Sequence, residues 1–131
     1  MTNKDLVRNF FIEGYQNKNY DFVLASVSDA YIDHSPAGAK SNKEAAEILK
    51  LVAQMFGDVK IGIPDIFEEA GMVGARVRFE GIHTGECMGI PATGKTVSFE
   101  FLEHFKISGG KIAESWGYWP DLEILNILKS G

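Results

Sequence analysis

Residues 81–121 read GIHTGECMGIPATGKTVSFEFLEHFKISGGKIAESWGYWPD and carry most of the strand signal in the chain. Turn-forming residues interrupt this stretch at 90–95 and at 108–111. The segments between and after the turns are rich in aromatic and β-branched residues, which are typical of strands. We therefore predict three consecutive antiparallel strands, with helices from the preceding chain covering one face and a short helix closing the chain.

The residues before this stretch predict helices first and strands afterwards. Apolar residues recur at helical spacing after Thr2 and after Ser41, and each of these residues can cap the helix that follows it. A shorter helix lies between them, followed by a short strand or extended arm at 31–34. Alternating apolar residues predict strands at 59–64, where a proline indicates an edge or a bulge, and at 73–79.

This order of elements defines the fold class. Helices segregated over a mostly antiparallel sheet are typical of α+β proteins. A curved sheet wrapped on helices would leave a conical cavity, which is a usual place for a small ligand. Residues 1–131 are predicted to form a single domain, because nothing resembling a linker or a repeat divides them.

Composition excludes several kinds of partner. A net charge of −5 argues against nucleic acid and against an anionic membrane surface, since both need a basic face. The single cysteine, Cys87, cannot form an internal disulfide, which favours a reducing compartment such as the cytoplasm. Three scattered histidines and one cysteine lack the spacing of metal ligands, so we predict no metal site.

The strand at 96–107 has one apolar face and one mixed face. Its even-numbered positions are polar except for Leu102, and they include His104. We expect a sheet buried on both sides, with one face lining a pocket and the other meeting a partner or a helix. A homodimer through the apolar face is a plausible arrangement, with an interface formed by Phe99, Phe101 and Phe105.

Four segments in the chain resemble the SnoaL-like polyketide cyclase family, which has the cone-shaped α+β fold of the nuclear transport factor 2-like superfamily. The similarity runs from about Leu6 to the end of the chain. It implies intramolecular aldol ring closure on a small hydrophobic carbonyl compound, with no metal and no cofactor. The segments are GIHTG at 81–85, GIPATGK at 89–95, GKI at 110–112 and WPD at 119–121.

The resemblance also implies positions for the family's functional residues. The family's histidine falls on His104, the glutamine two residues before it on Leu102, and an asparagine on Asp33. The acid/base aspartate, 14 residues after the histidine, falls on Tyr118. The resemblance therefore implies the family's fold for this chain, but the chain lacks part of the family's set of proton-transfer residues.

Asp33, His104 and Tyr118 are the predicted catalytic residues. An Asp33 buried among aromatic rings would have a raised pKa, and with His104 it would form a carboxylate–imidazole pair. Tyr118 would donate a hydrogen bond to a substrate carbonyl. The alternatives are that Asp33 bonds to the nearby turn, that His104 is structural, and that Tyr118 is an aromatic wall. We interpret Asp121 as a carboxylate that caps the closing helix, and the alternative is an acid that faces the pocket.

Further residues are predicted to line the pocket and bind substrate, namely Tyr31, His83, Leu102, Trp116 and Trp119. For His83 the alternative is a structural role, which we favour. The first hypothesis for function is cofactor-free acid/base chemistry such as cyclisation, isomerisation or hydration. The alternatives are a non-catalytic domain that binds a small apolar ligand, and a dimerisation scaffold.

Overall fold

A computed structural model describes residues 1–130, and its elements follow the predicted order. The helices are α1 (Asn3–Phe11), α2 (Tyr20–Ser26), α3 (Asn42–Met55) and α4 (Asp121–Lys129). The strands are β1 (Val27–Asp33), β2 (Phe56–Glu69), β3 (Met72–His83), β4 (Thr96–Ser108) and β5 (Lys111–Tyr118).

Helix α1 begins with the predicted cap. The Thr2 side chain accepts from the Asp5 backbone N–H, and the Asp5 side chain accepts in return from the Thr2 backbone, which satisfies two donors of the first turn. After Phe11 the helix widens into a π-helical turn, Ile12–Gln16. Such turns add a residue to the helical repeat and often lie at functional sites. This one carries Tyr15.

The sheet has the strand order β1-β5-β4-β3-β2. All neighbours are antiparallel except β1 and β5, which run parallel. The expected α+β class and the curved, mostly antiparallel sheet are confirmed. The parallel pair has a specific consequence, because it sets Asp33 at the end of β1 opposite Ser115 on β5.

The apolar face of β4 points towards the helices and forms the core. The rings of Phe101 and Phe105 lie 5.9 and 5.5 Å from the ring of Phe11 on α1. The prediction that this face forms a dimer interface is wrong, because these aromatic side chains are buried within the chain itself. That the protein forms a homodimer stays a prediction. The buried residues of the apolar face of β4 are Val97, Phe99, Phe101 and Phe105.

Two irregularities decide which side chains face inward. The register of β2 against β3 shifts between Gly62 and Asp65, which confirms the bulge predicted at the proline. On β5, Ile112 pairs with Ile107, whereas Glu114 pairs with Lys106, so Ala113 is an extra residue. Beyond this extra residue, the alternation of inward-facing and outward-facing side chains is therefore the reverse of that in a regular strand.

The chain between β3 and β4 folds back on the end of β3. His83 exchanges backbone hydrogen bonds with this segment, donating to the Lys95 carbonyl at 2.8 Å and accepting from Gly94 at 2.9 Å. The N–H groups of Thr84 and Gly85 bond to the Met55 carbonyl at the end of α3. Within residues 1–130, no helix is both long and apolar enough to cross a bilayer.

Candidate functional site

A cavity of about 400 Å³ lies between the concave face of the sheet and helices α1 and α3. Its walls are mainly apolar and aromatic, with Phe10, Leu49, Val52 and Trp119 among them. Exposed lining residues, including Leu51 and Asp121, mark its opening. A small ligand would lose most of its contact with water in such a site.

Glu103 is an acid on the otherwise apolar face of β4, and its side chain lines this cavity. Burial, and secondarily the charge of Asp33, raise the pKa of Glu103 to about 8. No hydrogen bond from the rest of residues 1–130 reaches the carboxyl. The side chain is half-buried and borders the cavity. A carboxyl with these properties can both give and take a proton near neutral pH.

Tyr15 supplies a hydroxyl to the same cavity. Its ring packs against Phe79 and Trp119, with both centroids 6.1 Å away. Burial, and then the charge of Glu103, hold the pKa of Tyr15 well above its usual range, so the phenol keeps its proton. None of the described residues forms a hydrogen bond with this hydroxyl. It is therefore available to donate to a ligand oxygen.

Asp33 lines the cavity as predicted, but its carboxylate is already engaged. It accepts hydrogen bonds from the backbone N–H and the hydroxyl of Ser35, both at 2.8 Å, and from the Ser115 hydroxyl at 3.4 Å. The bonds to Ser35 are the local turn contact that we considered as the alternative to catalysis. Tyr31, predicted to line the pocket, also does so, and its hydroxyl lies 2.5 Å from that of Ser115.

His104, predicted to form an acid/base pair with Asp33, faces away from the cavity. Its side chain is exposed on the convex face of the sheet and stacks on Trp116, with ring centroids 4.8 Å apart. His34 stacks on the other side of Trp116 at 4.6 Å. The predicted pair of Asp33 and His104 therefore does not form.

Three other predicted site residues share that convex face. Leu102 and Tyr118 pair across β4 and β5, and their exposed fractions are 68% and 64%. Trp116 pairs with His104 beside them. The physical reason is the same for all of them, since β4 turns its apolar face inward and the bulge at Ala113 places Trp116 and Tyr118 outside. Their predicted contact with substrate in the cavity is wrong.

His83 and Trp119 are both on the inner side of the sheet, but only Trp119 borders the cavity. His83 is fully buried, and its Nδ1 accepts from the Thr93 N–H at 3.1 Å. The Thr93 hydroxyl lies 2.9 Å from the same nitrogen. His83 therefore ties the loop before β4 to the end of β3, which matches the structural role that we favoured.

Sequence reasoning missed two residues of the cavity, Tyr15 and Glu103. The signal was present, because Glu103 is the one charged residue among the odd-numbered positions 97–105 of β4. The family resemblance placed two functional positions on His104 and Tyr118. Each of these residues directly follows a residue that faces inward. Those neighbours, Glu103 and Gly117, are also 14 residues apart and pair directly across the two strands. If the two family positions are assigned one residue earlier in this chain, they fall on Glu103 and Gly117, which both line the cavity.

Asp121 has features of both roles that we considered for it. It is the first residue of α4, where a carboxylate stabilises the helix dipole, and it also borders the opening of the cavity. Among residues 1–130, no lysine, arginine or histidine lines the cavity. The same part of the chain holds no group of three His, Cys, Asp or Glu side chains that could ligate a metal ion.

The concave sheet, the helices over it and an acid inside an apolar cavity agree with the family that the sequence resembles. The model of the SnoaL-like polyketide cyclase family matches residues 5–127, so the chain belongs to that family. Among individual relatives, it is 28% identical over 125 residues to the aklanonic acid methyl ester cyclase DnrD of Streptomyces peucetius. That match covers 92% of this chain and 85% of the relative.

Solved structures show the same fold. TsrD from Streptomyces laurentii superposes with a TM-score of 0.84 and 24% identity, covering 95% of this chain and 92% of that one. A SnoaL-like polyketide cyclase from Agrobacterium tumefaciens superposes with a TM-score of 0.82 and 17% identity, covering 98% of each chain. At these identities the likeness establishes the fold alone.

Proposed function

We propose that this protein catalyses a cofactor-free aldol-type cyclisation of a neutral, mainly hydrophobic carbonyl compound, with Glu103 as the group that moves the proton. The observation that carries the proposal is the position of Glu103. Its carboxyl borders an apolar cavity, lacks a hydrogen-bond partner among residues 1–130 and has a pKa raised to about 8. A pKa near the working pH is what a general acid/base needs.

The chemistry follows from the two protonation states of Glu103. Near pH 7, roughly nine in ten molecules hold the proton and the rest are ionised. The ionised carboxylate takes a proton from the carbon next to a substrate carbonyl, which leaves an enolate. That enolate carbon attacks the second carbonyl of the same molecule, and protonated Glu103 returns the proton to the new alkoxide. The carbon–carbon bond forms without any change in composition.

Tyr15 is suited to stabilise the enolate. Its hydroxyl faces the cavity without a partner among residues 1–130 and stays protonated. A donor aimed at an oxygen that becomes negative lowers the barrier, because the interaction strengthens as the charge develops. Tyr15 thus takes the role that the sequence suggested for Tyr118.

The charges around the cavity favour an uncharged substrate. Asp33, Glu103 and Asp121 line it, and no described lysine, arginine or histidine does so. A ligand with a free carboxylate would bring another negative charge into a poorly solvated space. The relative DnrD is named for a methyl ester, in which the acid is neutralised. We therefore propose aklanonic acid methyl ester as the first test substrate for this chain.

The free cysteine bears on the cellular location of the protein. Cys87 is a free, buried thiol, which supports a reducing compartment, and we propose the cytoplasm.

The test compares Glu103→Gln with the wild-type protein. Cyclisation is followed by separating substrate and product chromatographically, and binding is measured separately through quenching of tryptophan fluorescence. We expect Glu103→Gln to lower kcat/KM by about 10²–10⁴-fold while the Kd changes little. Wild-type kcat/KM should rise with pH up to about 8, because the ionised carboxylate starts the reaction.

Two outcomes would decide against the proposal. Full activity in Glu103→Gln would exclude this carboxyl as the proton carrier. Binding of the ester without turnover by the wild-type protein or any variant would instead support the non-catalytic binding domain, the second candidate. His104→Ala is the matched control, because it removes an ionisable side chain from the neighbouring position on the outer face.

A further inference from the structure

We propose that Gly117 is a positioning residue for Glu103, because only the absence of a side chain on β5 leaves room for the Glu103 carboxyl at the cavity wall. This inference rests on the role proposed for Glu103. It concerns a different residue, on a different strand, and it can be tested without any substrate.

The two residues face each other directly. Glu103 on β4 pairs with Gly117 on β5, and both line the cavity. A β-carbon added to Gly117 would lie 2.6 Å from both Cγ and Cδ of Glu103 and 2.7 Å from its Oε1. Carbon atoms in contact lie about 3.5–4.0 Å apart, so the carboxyl would have to leave its present position.

The backbone gives no other reason for a glycine here. Gly117 is not among the residues with positive φ, so an alanine could adopt its conformation. Glycine inside a strand costs stability and usually marks a close approach by another group. At Gly117 the approaching group is the Glu103 side chain, which lies over the β5 backbone and is thereby held away from water.

The substrate-independent test is a titration of the Glu103 carboxyl carbon by NMR in protein labelled with ¹³C-glutamate. We expect Gly117→Ala to move the carboxyl away from the β5 backbone towards the cavity opening, where water reaches it, and to lower its apparent pKa from about 8 by at least one pH unit, towards the ordinary value of 4.5. Gly74→Ala is the matched control. Its added β-carbon would crowd the exposed Phe67 ring at 2.7 Å, so its strain does not involve Glu103. An unchanged Glu103 pKa in Gly117→Ala would overturn the inference.

Stability provides a second readout, which also covers the case in which Gly117→Ala folds poorly. If the strain comes from Glu103, the double variant Glu103→Ala, Gly117→Ala should regain most of the thermal stability that Gly117→Ala loses. Equal losses with and without the Glu103 side chain would show that the glycine is needed for another reason, and the inference would fail.

Activity provides a third readout, because the carboxyl can be moved to the other strand. Gly117→Asp should recover at least 10-fold in kcat/KM when it is added to Glu103→Ala, yet it should lower kcat/KM in the wild-type background, where two carboxyls would be crowded together. The same loss in both backgrounds would contradict the inference. Full activity in Glu103→Ala would refute the proposed function alone, since the titration would still decide the role of Gly117.

Discussion

The hydroxyl oxygens of Tyr31 and Ser115 lie 2.5 Å apart and join β1 to β5 at the edge of the cavity. Ser115 donates onward to Asp33 at 3.4 Å, so the Tyr31 phenol is the donor to Ser115. Burial raises the pKa of Tyr31 well above its usual range, which keeps the phenol protonated and this direction fixed. Both hydroxyls belong to buried residues.

This contact predicts a non-additive effect on stability. Ser115→Ala should lower the free energy of unfolding by about 1–3 kcal/mol, because it leaves the Tyr31 hydroxyl buried without a partner. The double variant with Tyr31→Phe should cost less than the sum of the single variants, since both polar groups are then gone. Urea denaturation measures all four proteins. Additive losses would show that the two hydroxyls do not depend on each other.

The raised pKa of Glu103 predicts that stability falls with increasing pH. The folded protein holds this proton up to about pH 8, whereas the unfolded chain releases it near 4.5. Between these values the native state binds more protons, so raising the pH favours unfolding by at most roughly 1.4 kcal/mol per pH unit. Glu103→Gln should remove this slope, match the wild type below pH 4.5, and become progressively more stable than the wild type between pH 4.5 and about 8.

Glu100→Gln is a suitable control for the pH measurement. Arg78 and Arg76 lower the pKa of the Glu100 carboxyl, so that group contributes stability above its unfolded value and loses it only as the solution becomes acidic. Glu100→Gln should therefore leave the slope between pH 5 and 8 unchanged. A wild-type slope equal to that of Glu103→Gln would mean that Glu103 is ionised in the folded protein at neutral pH.

His104→Ala is predicted to leave the cavity unaffected. The imidazole is exposed and contacts Trp116 on the convex face, so its loss should change kcat/KM and ligand Kd by less than about twofold. The measurement is the cyclisation assay beside a fluorescence binding curve. A large loss of kcat/KM together with an unchanged melting temperature would contradict the orientation described here.

The hydrogen bonds made by Lys95 predict that this residue stabilises the end of helix α4. Its ammonium donates to the carbonyls of Ile127 and Leu128, at 3.3 and 3.2 Å, and to that of Ser130. These carbonyls belong to the last turn of α4 and to the residues after it, where a cation is favourable. Lys95→Met should destabilise the protein by about 1 kcal/mol and speed amide hydrogen exchange in the last turn of α4.

Lys129→Met serves as the comparison for Lys95→Met, because Lys129 lies in the same turn and is exposed. It should have a smaller effect on hydrogen exchange. Equal effects of the two substitutions would mean that general charge, rather than the specific bonds from Lys95, stabilises the helix end.

Sequence patterns were sufficient for the architecture. The helical spacing after Thr2 and Ser41, the turn residues and the alternating strands each report a local preference, and these preferences all agree with one α+β arrangement. Of the three strands predicted in residues 81–121, the first is not a separate strand, because residues 81–83 are the end of β3. Residues 84–95 form a loop with one isolated bridge, Cys87 to Ile90, because backbone bonds to Met55 and His83 hold this segment in place of a sheet partner.

The site could be predicted only in part, because its chemistry depends on single-residue register. Asp33, Tyr31 and Trp119 were placed correctly at the cavity, since their elements end where the sheet meets the helices. His104 was placed on the wrong face, although alternation on β4 already set it opposite the apolar residues. The outward position of Tyr118 depends on the bulge at Ala113. No turn residue in the sequence indicates this bulge, because Ala113 does not differ from an ordinary strand residue.

The extra residue at Ala113 also bears on how such proteins could diverge. A relative that lacks this extra residue would pair regularly, because Ile112 and Glu114 already face the adjacent residues Ile107 and Lys106, and its inward positions at Ser115 and Gly117 would be unchanged. A relative that keeps the residue but pairs it within the ladder would instead turn Trp116 and Tyr118 towards the helices, where they would fill the cavity. Chain length at this point therefore does not by itself distinguish relatives with a cavity from relatives without one.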